Sequence, residues 1–143
     1  MMGIVEPAIR RGKVRGLAAW GAALIATLAG VCPAPAAPKT FTGAGNWTDT
    51  ARWTGDTLPV DGDDVTIGGT VTNAGSTPIL ASYVLNAGRT HTIAGTNTAV
   101  FATNVTISGT LTHLANTDTN GADGWAPDHR IWIVCTNLLI ASN

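Results

Sequence analysis

The residues best placed to do chemistry fall in one turn-rich stretch, Asn116 to Arg130. Asp118, Asn120 and Asp123 are oxygen donors near enough in sequence to share a calcium ion, which wants six to eight such ligands. Their spacing misses the D-x-[DN]-x-[DN]-G pattern of a calcium loop, and no acidic residue stands at its far end. The competing role, which the glycines and asparagines around them favour, is the closing of Asx turns. Trp125 offers a ring on which a sugar could stack, but beside Gly124 and Pro127 it is expected to pack against the scaffold. Asp128-His129-Arg130 suggests acid–base work. In an extended segment neighbours point to opposite faces, so only Asp128 and Arg130 would share one, and an exposed ion-paired cluster is expected.

Elsewhere the candidates are thinner. Asp61, Asp63 and Asp64 could supply carboxylates for glycoside chemistry, but that needs two of them facing across a cleft, and a tight turn is a poor place for it. His91 and His113 have no second histidine at zinc-ligand spacing. Cys135 lies in the apolar run Ile131 to Cys135, where a thiol acts as a small hydrophobe. No G-x-S-x-G, phosphate loop or C-x-x-C occurs. The sequence therefore assigns no catalytic, cofactor-binding or metal-ligating residue.

The elements that would carry these side chains are strands. Val65-Thr66-Ile67-Gly68-Gly69-Thr70-Val71-Thr72 returns as Val105-Thr106-Ile107-Ser108-Gly109-Thr110-Leu111-Thr112, and repetition of this kind marks stacked architectures. Period-two alternation predicts strands at Asp64–Ile67, Ser82–Leu85, Thr92–Ile93, Asn104–Ile107 and Asn137–Ile140. Four of them end in an aliphatic residue, Ile67, Leu85, Ile107 and Ile140, separated by 18, 22 and 33 residues. The first two intervals suit one turn of a wide solenoid, and the third suits a turn with an inserted loop. Two folds compete. The glycine pairs are hairpin turns of an antiparallel β-sandwich, or they are corners of a right-handed parallel β-helix. A sandwich has no reason to repeat one strand's sequence about forty residues on, so the all-β parallel β-helix is expected.

Residues 1–36 read as a secretory signal peptide. Arg10, Arg11, Lys13 and Arg15 precede an apolar run from Leu17 to Val31 and the small-residue site Ala34-Pro35-Ala36. The run is shorter than the roughly twenty residues a membrane span needs. Ala29-Gly30-Val31-Cys32 lacks the small residue a lipoprotein site wants before its cysteine, and Arg10-Arg11 is not continued into a twin-arginine motif. Beyond residue 36, Lys39, Arg52, Arg89 and Arg130 stand against eight aspartates, leaving a net charge of about −4. With no basic patch and no basic amphipathic stretch, nucleic acid and anionic membranes are not expected partners. No membrane-spanning segment is expected after signal removal.

Residues 37–63 read as a cap on the solenoid. Trp47 and Trp53 would cover the open end of the core, and Pro59 with Asp61-Gly62 would turn the chain into the first repeat. Gly45, Trp47, Trp53, Pro59, Gly62, Asp63, Val65 and Ile67 together resemble the pattern G-x-W…W…P…G-D-x-V-x-I. That pattern opens many large bacterial surface proteins with autotransporter- or adhesin-like β-helical passenger regions. The resemblance implies a secreted right-handed parallel β-helix serving as an extended scaffold or adhesive stalk. Its expected partners are extracellular polysaccharide or a host or neighbouring cell surface. Residues 64–143 would form the coils, with a loop insertion near 113–130. Because a solenoid needs a polar terminal cap and nothing after Ile140 can supply one, either the sequence is expected to continue into further coils or its last coil is expected to dock on something else. The alternatives are the N-terminal part of a β-helical polysaccharide lyase or glycosidase, and a small carbohydrate-binding module.

Overall fold

The computed structural model describes residues 36–118, 124, 126 and 128–141. The expected signal peptide, apart from Ala36, lies outside them. Among the described residues nine strands form two sheets: β1 (Pro38–Phe41), β2 (Ala44–Asn46), β3 (Asp64–Ile67), β4 (Thr70–Asn73), β5 (Ile79–Leu85), β6 (Thr90–Ile93), β7 (Ala99–Ile107), β8 (Thr110–His113) and β9 (Trp132–Ile140). Odd-numbered strands make a five-stranded sheet in the order β1-β3-β5-β7-β9, and even-numbered strands make a four-stranded sheet, β2-β4-β6-β8. Every neighbouring pair is parallel. Successive strands alternate between sheets and each stacks on the strand two earlier, so the chain is a parallel β-solenoid.

The register follows the sequence periods. Ile67 pairs with Leu85, Leu85 with Ile107, and Ile107 with Ile140, so the intervals of 18, 22 and 33 residues are each one turn. The forty-residue echo is thus two turns, not one. Alternation aims Val65, Ile67, Val71, Tyr83, Leu85, Ile93, Val105 and Ile107 into one core. In β5 the buried positions jump from Leu80 to Tyr83, and in β7 from Ala102 to Val105. Two consecutive outward residues shift the phase, which a straight strand cannot do, so these strands bend there. The bend carries a polar ladder: Asp64, Ser82, Asn104 and Asn137 lie in register. Ser82 Oγ donates to Asp64 Oδ1 at 2.6 Å and Asn137 Nδ2 to Asn104 Oδ1 at 2.8 Å.

Glycines make the sharp corners because coils approach through their backbones. A Cβ on Gly69 would lie 2.1 Å from the Gly43 carbonyl oxygen, and one on Gly109 would lie 2.4 Å from those of Arg89 and Asn86. Those contacts flank coil-to-coil hydrogen bonds, Thr70 N to Gly43 O at 2.7 Å and Thr110 N to Arg89 O at 2.8 Å. Gly69→Ala should therefore cost about 3 kcal/mol, the upper range for overpacking against atoms that cannot yield. Gly75→Ala, whose Cβ meets nothing within 4 Å, is the matched control. Urea midpoints of the two variants check this, and equal midpoints would contradict the corner geometry.

The first coil is closed by the segment between β2 and β3. Around a 3-10 turn at Thr50–Arg52 the chain doubles back, and Trp53 bridges Phe41 in antiparallel sense. Thr42 N donates to Arg52 O at 2.9 Å and Thr54 N to Thr40 O at 3.1 Å, so the outer edge of β1 is paired. At the other end, among the described residues, β9 pairs only with β7. Leu138 and Ile140 occupy the core-facing registers of Val105 and Ile107 yet are 50% and 69% exposed.

Candidate functional site

The aspartates that the sequence offers for chemistry are engaged in holding turns. Asp61 Oδ1 accepts from Ile79 N at 2.8 Å. Asp63, buried, accepts from Val60 N at 2.9 Å and Ala37 N at 3.2 Å. Asp64 takes the Ser82 hydroxyl. The three carboxylates thus serve three different structural joints, and this turn docks on the start of β5 through Gly62 N to Ile79 O and Ala81 N to Asp63 O, both at 2.9 Å.

The loop between β8 and β9 is organised the same way. Asp118 accepts from Ala126 N at 2.7 Å, and Asn116 Oδ1 accepts from His129 N at 2.7 Å. Asp128 accepts from Thr117 N at 3.1 Å and from the Thr117 hydroxyl, which is the main reason its carboxyl sits below the usual range. Thr96 Oγ1 donates to the Asp128 carbonyl at 2.5 Å, pinning the loop to the coil below. Asn120, Asp123 and Trp125 lie outside the described residues, so the calcium and sugar-stacking readings fall there. The expected Asp128–Arg130 ion pair does not form among the described residues. Asp128 turns to Thr117, while the Arg130 guanidinium lies 5.2 Å from the centre of the Trp132 ring. Among the described residues no group of three His, Cys, Asp or Glu could hold a metal ion, and no helix is long and apolar enough to cross a membrane.

Two features escape a reading by motif. One is a buried polar contact inside the solenoid. His91 is fully buried, its Nδ1 lies 2.6 Å from the Tyr83 hydroxyl, and its ring stacks on Trp47 at 5.9 Å. Burial pushes the imidazole down to about 4 and the Tyr83 phenol above its ordinary value. His91 Nε2 has no hydrogen-bond partner among the described residues. The alternation Thr90-His91-Thr92 is the signal that aims this histidine inward. The other feature is a shallow outward concavity of about 310 Å³ lined by Ile79, Phe101, Ala102, Thr103, Val134 and Cys135 among others. Ile79, Phe101 and Val134 stack in register on three successive coils, with Ile79 66% and Val134 50% exposed. Cys135 is half-buried beside the core and unpaired among the described residues.

The class the fold defines is the parallel β-solenoid. Compared with known proteins, the chain matches no family model, no curated protein and no solved structure.

Proposed function

We propose that this chain is an exported structural or adhesive surface module, a β-solenoid scaffold without catalysis of its own, akin to the start of an autotransporter- or adhesin-like passenger region. One observation carries the reading. The aspartates most suggestive of chemistry, Asp61, Asp63, Asp64, Asp118 and Asp128, spend their carboxylates on hydrogen bonds that close turns or join coils. One apolar outward surface is the shallow Ile79–Phe101–Val134 ladder, which suits the apolar face of an extracellular polysaccharide.

Two measurements test the proposal. Expression with the native N-terminus should place the protein outside the cytoplasm, with its N-terminus trimmed near Ala36. Electrophoresis of the exported protein through gels carrying different polysaccharides should show retardation by at least one, lost in Phe101→Asp. Retention in the cytoplasm, or mobility unchanged in every gel, would overturn the reading.

A further inference from the structure

We propose that the outer face of the four-stranded sheet is an ice-binding surface, whose ligand is the ordered water lattice of an ice crystal. Each of its three longer strands carries a Thr-x-Thr unit: Thr70-Val71-Thr72 on β4, Thr90-His91-Thr92 on β6 and Thr110-Leu111-Thr112 on β8. The middle residues point into the core, Val71 and His91 fully buried and Leu111 packed against it. All six threonines therefore face outward.

The ladder registers put them in two straight columns. Thr70, Thr90 and Thr110 are mutual partners, and so are Thr72, Thr92 and Thr112. Strand spacing sets neighbours in a column about 4.8 Å apart, and the two threonines of one strand are about 6.7 Å apart. That nearly rectangular mesh is close to the spacing of oxygen positions on the prism faces of hexagonal ice. Threonine suits such a face because its branched Cβ restricts χ1, so hydroxyl and methyl are held in repeating order. Methyls favour ordered water around them and hydroxyls anchor it.

Three further observations select this surface. Among the described residues, the hydroxyls of Thr70, Thr72, Thr90, Thr92 and Thr110 make no hydrogen bond to protein, and Thr112 makes only a 3.4 Å one, to the His113 carbonyl. The charge matches too. Ice is neutral, and β2, β4, β6 and β8 contain no ionised Asp, Glu, Lys or Arg, whose hydration shell would break the lattice; the nearest such residue in sequence is Arg89, at the corner before β6. Finally, among the described residues the five-stranded sheet lacks the pattern. On the five-stranded sheet the corresponding column runs Thr40, Thr66, Val84, Thr106 and Leu139, interrupted twice.

Three ranks make a small array, so slowing of ice recrystallisation and faceting of crystals are the readouts, followed by nanolitre osmometry. The full chain should slow recrystallisation at micromolar concentration and shape crystals into facets. Thr92→Lys and, separately, Thr72→Lys place a charge in the array from an outward position and should each weaken this effect roughly tenfold. Thr106→Lys on the other sheet should leave it unchanged. Far-UV circular dichroism and urea midpoints establish that all three variants remain folded. The proposal is overturned if the wild-type chain leaves crystals as rounded discs coarsening at the rate of buffer. It is also overturned if both array variants, folded, keep full activity, or if Thr106→Lys loses as much as they do. Polysaccharide retardation depends on the Phe101 ladder of the other sheet, so the two readings fail separately.

Discussion

Trp53→Ala should destabilise the protein by about 3–5 kcal/mol, the range for emptying an aromatic site in a packed core. Trp53 is almost fully buried, its ring meets Phe41 edge-on at 5.1 Å and Trp47 at 4.7 Å, and its Nε1 donates to the Trp47 carbonyl at 2.8 Å. The substitution removes those contacts, leaves the Trp47 carbonyl unpaired in the interior, and loosens the segment that covers the β1 edge. Against a typical stability of about 5–15 kcal/mol, that is a large share of the whole. Trp53→Phe keeps most of the apolar surface and loses chiefly the hydrogen bond, so about 1–2 kcal/mol is expected. Urea unfolding with an unchanged m-value measures both. A loss below about 1 kcal/mol for Trp53→Ala would mean that the cap is not part of the cooperative unit.

Acid should unfold or loosen the protein through His91. Its pKa falls from 6.5 to about 4 because the ring is buried; among the described residues the Tyr83 hydroxyl is its only hydrogen-bonding partner. The unfolded chain therefore takes up the proton first, and stability that is fully present above pH 6.5 is lost as pH falls toward 4. At about 1.4 kcal/mol per pKa unit, the loss across that window is roughly 3 kcal/mol. The side chains nearest the ring do not offset it: Trp47 stacks on it, Val71 and Leu111 flank it on β4 and β8, and Tyr83 stays neutral. Unfolding free energies at pH 7, 5.5 and 4.5 should show the decline. His91→Phe should flatten it, at a fixed cost of about 1–3 kcal/mol for the orphaned Tyr83 hydroxyl. An identical acid limb in that variant would assign the effect to other groups.

Much of the architecture is legible because a solenoid writes itself as local pattern. Period two names the inward faces of Val65, Ile67, Val105 and Ile107, and glycine pairs mark the corners where a Cβ has no room. The aliphatic intervals even carry the register, since each turn must return a hydrophobic residue over the one below. The side chains singled out for chemistry are less legible. Asp61, Asp63 and Asp64 look like one acidic group in the sequence, but each satisfies a different backbone or hydroxyl group. The pairing of Asp128 with Thr117 rather than Arg130 depends on where the loop returns, which no short spacing encodes.

The all-β character, the repeat, the inward positions and the corners are local properties of the chain, because they rest on interactions between residues a few places apart. Which inward side chains meet across the interior, and which outward ones line up between coils, follows from how the coils stack. Tyr83 and His91 touch because the chain turns a corner between them, and Trp47 reaches His91 from two coils earlier. The six threonines become an array only when three separate strands stack without slippage. Period two says that a threonine points outward. Coil-to-coil hydrogen bonding says what lies 4.8 Å or so beside it.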